Sequence, residues 1–208
     1  MSQIIFLSLY VSVVSTLIAS ILGILLGIPF AMKNTPVKQL VIKITNSLMS
    51  TPPVLIGLVV YLVLSRRGPL GALELLFTPE AMIIAQTLLI FPLIFGLVIS
   101  SVDKNILKIR KTCLALNANE SDILKIVLRE NKLQLITAVT VGFGRAISEV
   151  GAAMLVGGNI KGFTRIMTTY IALETGKGEF QNAIFIGIVL LIISFAVNSF
   201  LHLLKRCE

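Results

Sequence analysis

Apolar residues along this 208-residue chain are concentrated in five long stretches, and most charged residues lie between them. The stretches cover residues 4–31, 44–64, 81–102, 133–156 and 182–204. Each has about the 20 residues that an α-helix needs to cross the hydrocarbon core of a bilayer. The pattern therefore predicts an all-α, polytopic membrane protein with about five transmembrane helices in a single domain, residues 1–208.

The composition agrees with a membrane protein and argues against other classes. Only 13% of the residues are charged, against about 25% in typical soluble domains. Of the 18 Lys and Arg residues, 12 lie in the segments that follow the first, third and fifth stretches. The positive-inside rule assigns these segments to the cytoplasm, so we predict the N-terminus outside and the C-terminus inside. Basic cytoplasmic loops explain the net charge of +8 without nucleic acid as a partner.

The fourth stretch carries two opposite charges near its middle, where charges are expensive in a bilayer. On one continuous helix, Arg145 and Glu149 lie one turn apart on the same face and can form an ion pair. Gly144, Ser148 and Ala152 form a stripe beside them, and small residues at four-residue spacing let helices approach closely. Two interpretations are open. The pair is an internal salt bridge, or it is a polar lining of a translocation pathway or gate in which Arg145 meets an anion.

The second stretch contains a double proline, Pro52–Pro53. Two consecutive prolines remove two backbone donors and kink or break a helix. Such a break survives in a membrane only where protein or a water-filled cavity supplies hydrogen-bond partners. The two prolines are therefore either a tolerated kink or part of a moving element near a gate.

Residues 103–132 are long for a connection between two spans. Their apolar residues recur at helical spacing in two runs, which the segment NANESD interrupts. Within it, Asn119, Ser121 and Asp122 are typical helix-capping residues. The pattern predicts a helix, a break and a second helix, both amphipathic. They would either lie on lipid or dock a soluble partner.

The segment between the fourth and fifth stretches, residues 157–181, is rich in hydroxyl groups and cations. Asn159, Lys161 and Arg165 are its candidates for external docking, because they would attract an anion or an acidic binding protein. A loop that is simply solvated is the alternative. Residues 166–173 are predicted to form a short re-entrant or surface helix that closes the pathway from outside.

Three segments together resemble the permease subunit of ATP-binding-cassette (ABC) importers for oxyanions, in its tungstate branch. They are residues 46–71, which include the double proline, residues 103–132, and residues 142–180, which begin GFGRAISEVGAAMLVGG. The second segment lies at the position of the family's cytoplasmic EAA motif and matches it in helix–break–helix shape rather than in letters. The resemblance implies a type I ABC importer permease fold and a multi-pass location in the inner, cytoplasmic membrane.

The same resemblance implies a division of labour among subunits. Two copies of the chain would form the pathway, an extracytoplasmic tungstate-binding protein would deliver the oxyanion, and two cytoplasmic ABC ATPases would bind the 103–132 loops. The residues that it assigns to ATPase coupling are Leu116, Asn117, Ala118, Asn119, Glu120 and Ser121. The chain contains no GxxxxGK[ST] phosphate-binding motif. We therefore expect a non-catalytic subunit without cofactors of its own, with ATP and Mg²⁺ at the ATPase.

Alternatives exist both inside and outside this family. Molybdate, sulfate or vanadate could replace tungstate as substrate, because tungstate and molybdate share shape, charge and nearly the same size. A stand-alone secondary anion transporter would place midplane charges in several spans, and here only the fourth has them. A membrane-embedded enzyme or a metal site is disfavoured, because the two cysteines and the single histidine, His202, form no suitable constellation.

Overall fold

The computed structural model describes residues 1–32, 37–116 and 118–206, and these are almost entirely helical. Strands are absent from this described part of the chain. A 3₁₀ turn at Gly71–Leu73 lies in the loop between the third and fourth helices. The α-helices are α1 (Ser2–Met32), α2 (Val37–Met49), α3 (Pro53–Leu64), α4 (Pro79–Ala115), α5 (Glu120–Glu130), α6 (Lys132–Ile147), α7 (Gly151–Gly157), α8 (Met167–Lys177) and α9 (Phe180–Arg206).

Single helices and bent helix pairs together account for the membrane crossings. Among the described residues, α1, α4 and α9 are each long and apolar enough to cross a bilayer. The pairs α2–α3 and α6–α7 also qualify, although they bend by 97° and 58° at their breaks. Counting each bent pair as one span gives the five spans that the sequence predicts. The double proline lies at the first of the two breaks, so the predicted interruption of the second span is confirmed.

Helices α1 and α4 pack along each other and run in the same direction. Ser15 Oγ donates a hydrogen bond to Gln86 Oε1 over 3.0 Å, between residues 71 positions apart. The same separation joins Gly27 to Val98, whose Cγ1 would lie 2.9 Å from a Cβ on the glycine. A constant separation means parallel helices, so α2 and α3 return the chain across the membrane between them. Which end faces the cytoplasm stays a prediction from the positive-inside rule.

The larger core is built from α1, α4, α5 and α6. Among its buried apolar residues are Ile28, Ile94, Ile99, Ile123 and Ala146. Helix α9 contributes little to this core. Only 11% of its most apolar 18-residue segment is buried, compared with 61% of the corresponding segment of α4. An apolar helix with so little protein around it is typical of one that faces lipid or another subunit.

The segment 103–132 differs from its prediction in one respect. Its first half is not a separate helix but the end of α4, which continues unbroken to Ala115. The second predicted helix is α5, and Asn119 caps it by accepting a hydrogen bond from the Asp122 N–H at 3.0 Å. Ile123 and Val127 on α5 are fully buried in the protein core. The apolar face of α5 therefore packs on protein, which argues against a helix lying on lipid.

Helix α8 confirms the short helix predicted near residues 166–173. Its first N–H group, at Met167, donates a hydrogen bond to Ser8 Oγ on α1 at 2.7 Å. This contact fixes the beginning of α8 against the beginning of α1. That α8 closes a pathway from outside stays a prediction.

Candidate functional site

The sequence predicts one continuous helix over residues 133–156, and this prediction was wrong. Helix α6 ends at Ile147, residues 148–150 are not helical, and α7 begins at Gly151. No proline marks this break. The side chain of Ser148 instead donates to carbonyls of its own preceding turn, an arrangement that competes with regular helical bonding. The two charged residues therefore lie on either side of a bend rather than on one face of an unbroken helix.

The ion pair itself is confirmed. Arg145 Nη1 lies 3.4 Å from Glu149 Oε2, and the Glu149 side chain is only 2% exposed. The second carboxylate oxygen accepts a hydrogen bond from the Ala152 N–H at 3.1 Å, in the first turn of α7. The backbone carbonyl of Glu149 accepts another from the Thr168 hydroxyl at 2.7 Å. One residue thus connects α6, α7 and α8.

An open face of α6 borders this junction. A Cβ placed on Gly144 would meet no atom within 4 Å, and Ser148 is exposed. The Arg145 side chain is 40% exposed next to them. The small residues do not form the continuous stripe that the sequence indicates, because Ala152 lies beyond the break and packs against Gly57 of α3. Gly144 and Ser148 are therefore surface positions, available to a substrate or to another subunit.

The two broken spans meet at this junction. A Cβ on Gly151 would lie 2.7 Å from Val54 Cγ2 and 3.7 Å from Glu149 Oε1. A Cβ on Gly57 would lie 2.7 Å from the Ala152 Cα. The Gly57 distance joins two backbones, so α3 and α7 are in closest contact there, whereas the atom nearest to Gly151 belongs to the Val54 side chain. The structure therefore brings Pro53, the first residue of α3, close to the charged pair, two features that the sequence shows only separately.

Of the predicted external docking residues, Arg165 and Asn159 bind each other, whereas Lys161 is exposed to solvent. The Arg165 guanidinium donates hydrogen bonds to the carbonyl and the side-chain oxygen of Asn159, at 3.1 to 3.3 Å. Arg165 therefore fastens its own loop. Lys161 is exposed and free to meet a partner from solution.

The predicted coupling residues form a turn and the start of α5. Leu116 is 77% exposed. Asn119 caps the helix, Glu120 accepts a hydrogen bond from Arg110 Nη2 at 2.7 Å, and Ser121 is exposed. Ala118 is half-buried. Asn117 lies outside the described residues.

Sequence reasoning missed two partners of these sites. Thr168 lies 19 positions from Glu149, and Arg110 lies 10 positions from Glu120. Each contact crosses a break between helices, so no local periodicity in the sequence predicts it. In the described part of the chain, no group of three His, Cys, Asp or Glu side chains lies close enough to hold a metal ion.

The profile of one protein family, described as the binding-protein-dependent transport system inner membrane component, matches residues 5–206. The chain belongs to this family. It is 48% identical to the tungstate uptake system permease protein TupB of Peptoclostridium acidaminophilum, over 98% of this chain and 89% of that protein. It is 42% identical to TupB of Campylobacter jejuni, over 81% and 71%. It is 40% identical to a probable anion ABC transporter permease protein of Haloferax volcanii, over 92% and 85%.

Family membership settles the class of protein. The helical permease of an ABC importer is a multi-pass protein of the inner membrane, as the sequence predicts. Its relatives are permease subunits, which are not themselves catalytic. The alternatives of a stand-alone secondary transporter and a membrane-embedded enzyme are therefore rejected.

Proposed function

We propose that this chain is the transmembrane permease subunit of an ATP-driven tungstate importer. The observation that carries the proposal is its 48% identity, over 98% of its length, to a tungstate uptake permease. Permeases named for molybdenum and sulfate transport are much less similar, at 26% and 24% identity. Molybdate is therefore the second choice, and sulfate or vanadate come after it.

The substrate passes along the open face of α6, where the two broken spans meet. Gly144 leaves this face bare, Ser148 exposes a hydroxyl group, and Arg145 offers a partly exposed guanidinium. A guanidinium group binds oxyanions through paired, charge-assisted hydrogen bonds. Because Glu149 lies 3.4 Å away, an anion must compete with this carboxylate for Arg145. The contact is therefore brief, which suits a permease because tight binding would slow release.

The half-helices α3 and α7 form the gate of this pathway. They are in backbone contact at Gly57 and Ala152, and each follows a break at which its span bends sharply. Pro52 and Pro53 supply the first break, and Ser148 with Glu149 supplies the second. Two short helices that are joined to their spans by breaks can move without unfolding the longer helices around them.

Partner proteins bind at the two ends of the molecule. Two cytoplasmic ABC ATPases bind the exposed surface of the turn at Leu116 and the beginning of α5, while the buried face of α5 holds this surface in place. ATP and Mg²⁺ are bound by those ATPases, and this chain supplies no cofactor of its own. An extracytoplasmic binding protein delivers tungstate, and a second copy of the chain completes the pathway.

The substrate assignment is tested with the assembled importer. The permease, its ATPase and its binding protein are placed in liposomes, and uptake is measured by elemental mass spectrometry with tungstate, molybdate or sulfate outside. We expect ATP-dependent tungstate uptake that requires the binding protein and that an equal concentration of sulfate does not reduce. Uptake of sulfate alone would overturn the substrate, and uptake without ATP would overturn the mechanism.

A further inference from the structure

A cavity of about 700 Å³ lies at the end of α3, beside the loop that leads to α4. Its lining includes Tyr61, Leu64, Arg66, Arg67, Glu74 and Phe77. The cavity is separate from the junction of α6 and α7. In the orientation predicted by the positive-inside rule, it opens on the outer side of the membrane.

Arg66 and Arg67 are the two cations in the lining of this cavity. Both are exposed, and among the described residues neither side chain forms an ion pair or a hydrogen bond. Arg165, which the sequence proposes for docking, is instead bound to Asn159. Glu74 is the one carboxylate in the lining of the cavity, so two guanidinium groups leave an excess of positive charge there.

The loop that carries the two arginines is held tightly. A Cβ on Gly68 would lie 2.2 Å from the Leu62 carbonyl oxygen, so the loop turns back directly onto the end of α3. At its far end the Phe77 N–H donates a hydrogen bond to the Val156 carbonyl at 2.9 Å. The loop is therefore fixed both to α3 and to the last turn of α7. A surface fixed in this way loses little conformational freedom when a partner binds.

We propose that a protruding acidic segment of the extracytoplasmic binding protein inserts into this cavity and places a carboxylate against Arg66 and Arg67. A tetrahedral oxyanion is far too small to fill the cavity, whose size is in the range of about 300–1,000 Å³ that encloses larger ligands. Arginine, tyrosine and phenylalanine are the residue types enriched in protein interfaces. The planar guanidinium group also matches a carboxylate in geometry.

This inference rests on the proposed function, because it requires the binding protein and the predicted orientation. It adds the place at which the binding protein contacts the permease. Docking would occur at the outer ends of both gate helices, since the loop is bonded to Val156 at the end of α7. Docking of the binding protein would thus act on α3 and α7 together.

The proposal is tested by measuring the association of the tungstate-loaded binding protein with the permease–ATPase complex in lipid nanodiscs. The Arg66→Gln/Arg67→Gln double variant is expected to bind roughly tenfold more weakly or worse. Wild-type affinity should fall as salt is added, and that of the double variant should fall less. The matched control is Lys43→Gln/Lys104→Gln, which removes two exposed charges on the predicted cytoplasmic side and should bind like the wild type.

A photo-activated cross-linking amino acid at Glu74 gives a second test that does not depend on affinity. Illumination is expected to join this position to the binding protein, and the same group at Lys43 should give no product. An unchanged affinity of the double variant together with no cross-link would overturn the proposal. So would a double variant that still binds the protein normally but no longer binds free tungstate, because the cavity would then hold the anion.

The same preparations separate this inference from the proposed function. If the wild type imports tungstate while the double variant both imports it and binds its partner normally, only the docking site is wrong. If the wild type imports no tungstate, the proposed substrate is wrong, whatever the arginine variants do.

Discussion

At the break in the fourth span, a carboxylate that is 2% exposed accepts bonds from two directions. Arg145 approaches one oxygen of Glu149, and the first turn of α7 donates to the other. A buried carboxylate that loses its cation is strongly destabilising, whereas removing the charge together with its partner is much less so. We therefore expect Glu149 to have a structural role, and Arg145, which is partly exposed, is the member of the pair that can reach a substrate.

The pair is tested by Arg145→Ala alone and together with Glu149→Gln. Removing one partner of a fully buried pair costs about 3–5 kcal/mol. The 40% exposure of Arg145 reduces the expected loss in unfolding free energy to about 1–3 kcal/mol. The double variant should regain most of it, because glutamine still accepts from Ala152 without a charge. Thermal unfolding in detergent measures this, and a double variant no more stable than Arg145→Ala would contradict it.

The same variants report on transport. If Arg145 meets the oxyanion, the double variant folds like the wild type but imports little tungstate. Normal uptake by the double variant would instead leave the ion pair with only its structural role.

At the scale of elements, α3 and α7 can approach each other closely because residue 57 of α3 is a glycine without a side chain. The Gly57 position faces the backbone of Ala152, which cannot move aside as the end of a flexible side chain can. Gly144 on α6 provides the opposite situation, because nothing lies within 4 Å of the position of its Cβ. Two glycines in neighbouring spans thus have different reasons to be present.

Gly57→Ala and Gly144→Ala therefore form a matched pair of variants. Gly57→Ala should destabilise the protein by about 1–3 kcal/mol, the usual consequence of overpacking. Gly144→Ala should be neutral or should stabilise α6 by up to about 1 kcal/mol, because alanine favours helices. Melting temperatures measured side by side give the comparison. Equal effects at both positions would show that α3 and α7 are not in the close contact described here.

The contact between α8 and α9 is expected to depend on pH. Glu174 is 7% exposed, and its pKa is lowered mainly because Lys177 donates a hydrogen bond to it at 2.9 Å. Asn182 near the beginning of α9 donates a further hydrogen bond, at 3.4 Å. A carboxyl group with a lowered pKa stabilises the fold above its ordinary value of 4.5 and loses this effect as the pH falls through the folded value.

Glu174→Gln should therefore lower the melting temperature at pH 7, and the difference from wild type should shrink below about pH 4.5. Melting curves between pH 3 and pH 7 measure it. Glu179→Gln is the control, because Glu179 is an exposed carboxylate without a described side-chain partner. A constant difference between Glu174→Gln and wild type across the range would contradict the assigned ionisation.

At the scale of the whole molecule, the contacts between α1 and α4 show that successive spans alternate in direction, whereas the orientation in the membrane is a prediction from the positive-inside rule. It is tested with single cysteines in a chain whose Cys113 and Cys207 are replaced by serine. Lys161→Cys should react with a membrane-impermeant maleimide in intact cells, and Ser121→Cys only after the membrane is opened. Both positions are exposed, so the reverse pattern would contradict the orientation.

The spans were predictable because a helix of about 20 consecutive apolar residues matches the thickness of the hydrocarbon core of a bilayer. The break in the second span was predictable too, since proline lacks the required N–H group. The break after Ile147 was not, because it depends on Thr168, on the packing of α3 and on local serine bonding rather than on a helix-breaking residue. Likewise, charge alone made Arg165 a docking candidate, and only the folded loop shows that Asn159 holds it.

Helix α4 continues for 37 residues with Pro92 inside it, and this length has a mechanical consequence. The part beyond the proline, residues 93–115, measures about 35 Å at about 1.5 Å per residue. Pro92 cannot donate the backbone hydrogen bond of a regular helix, so α4 bends most easily at this point. A swing of about 5° at Pro92 moves Ala115 by about 3 Å, given that rise per residue. We expect a displacement of α5 by a cytoplasmic ATPase to pass through this part of α4 to the spans that pack against it.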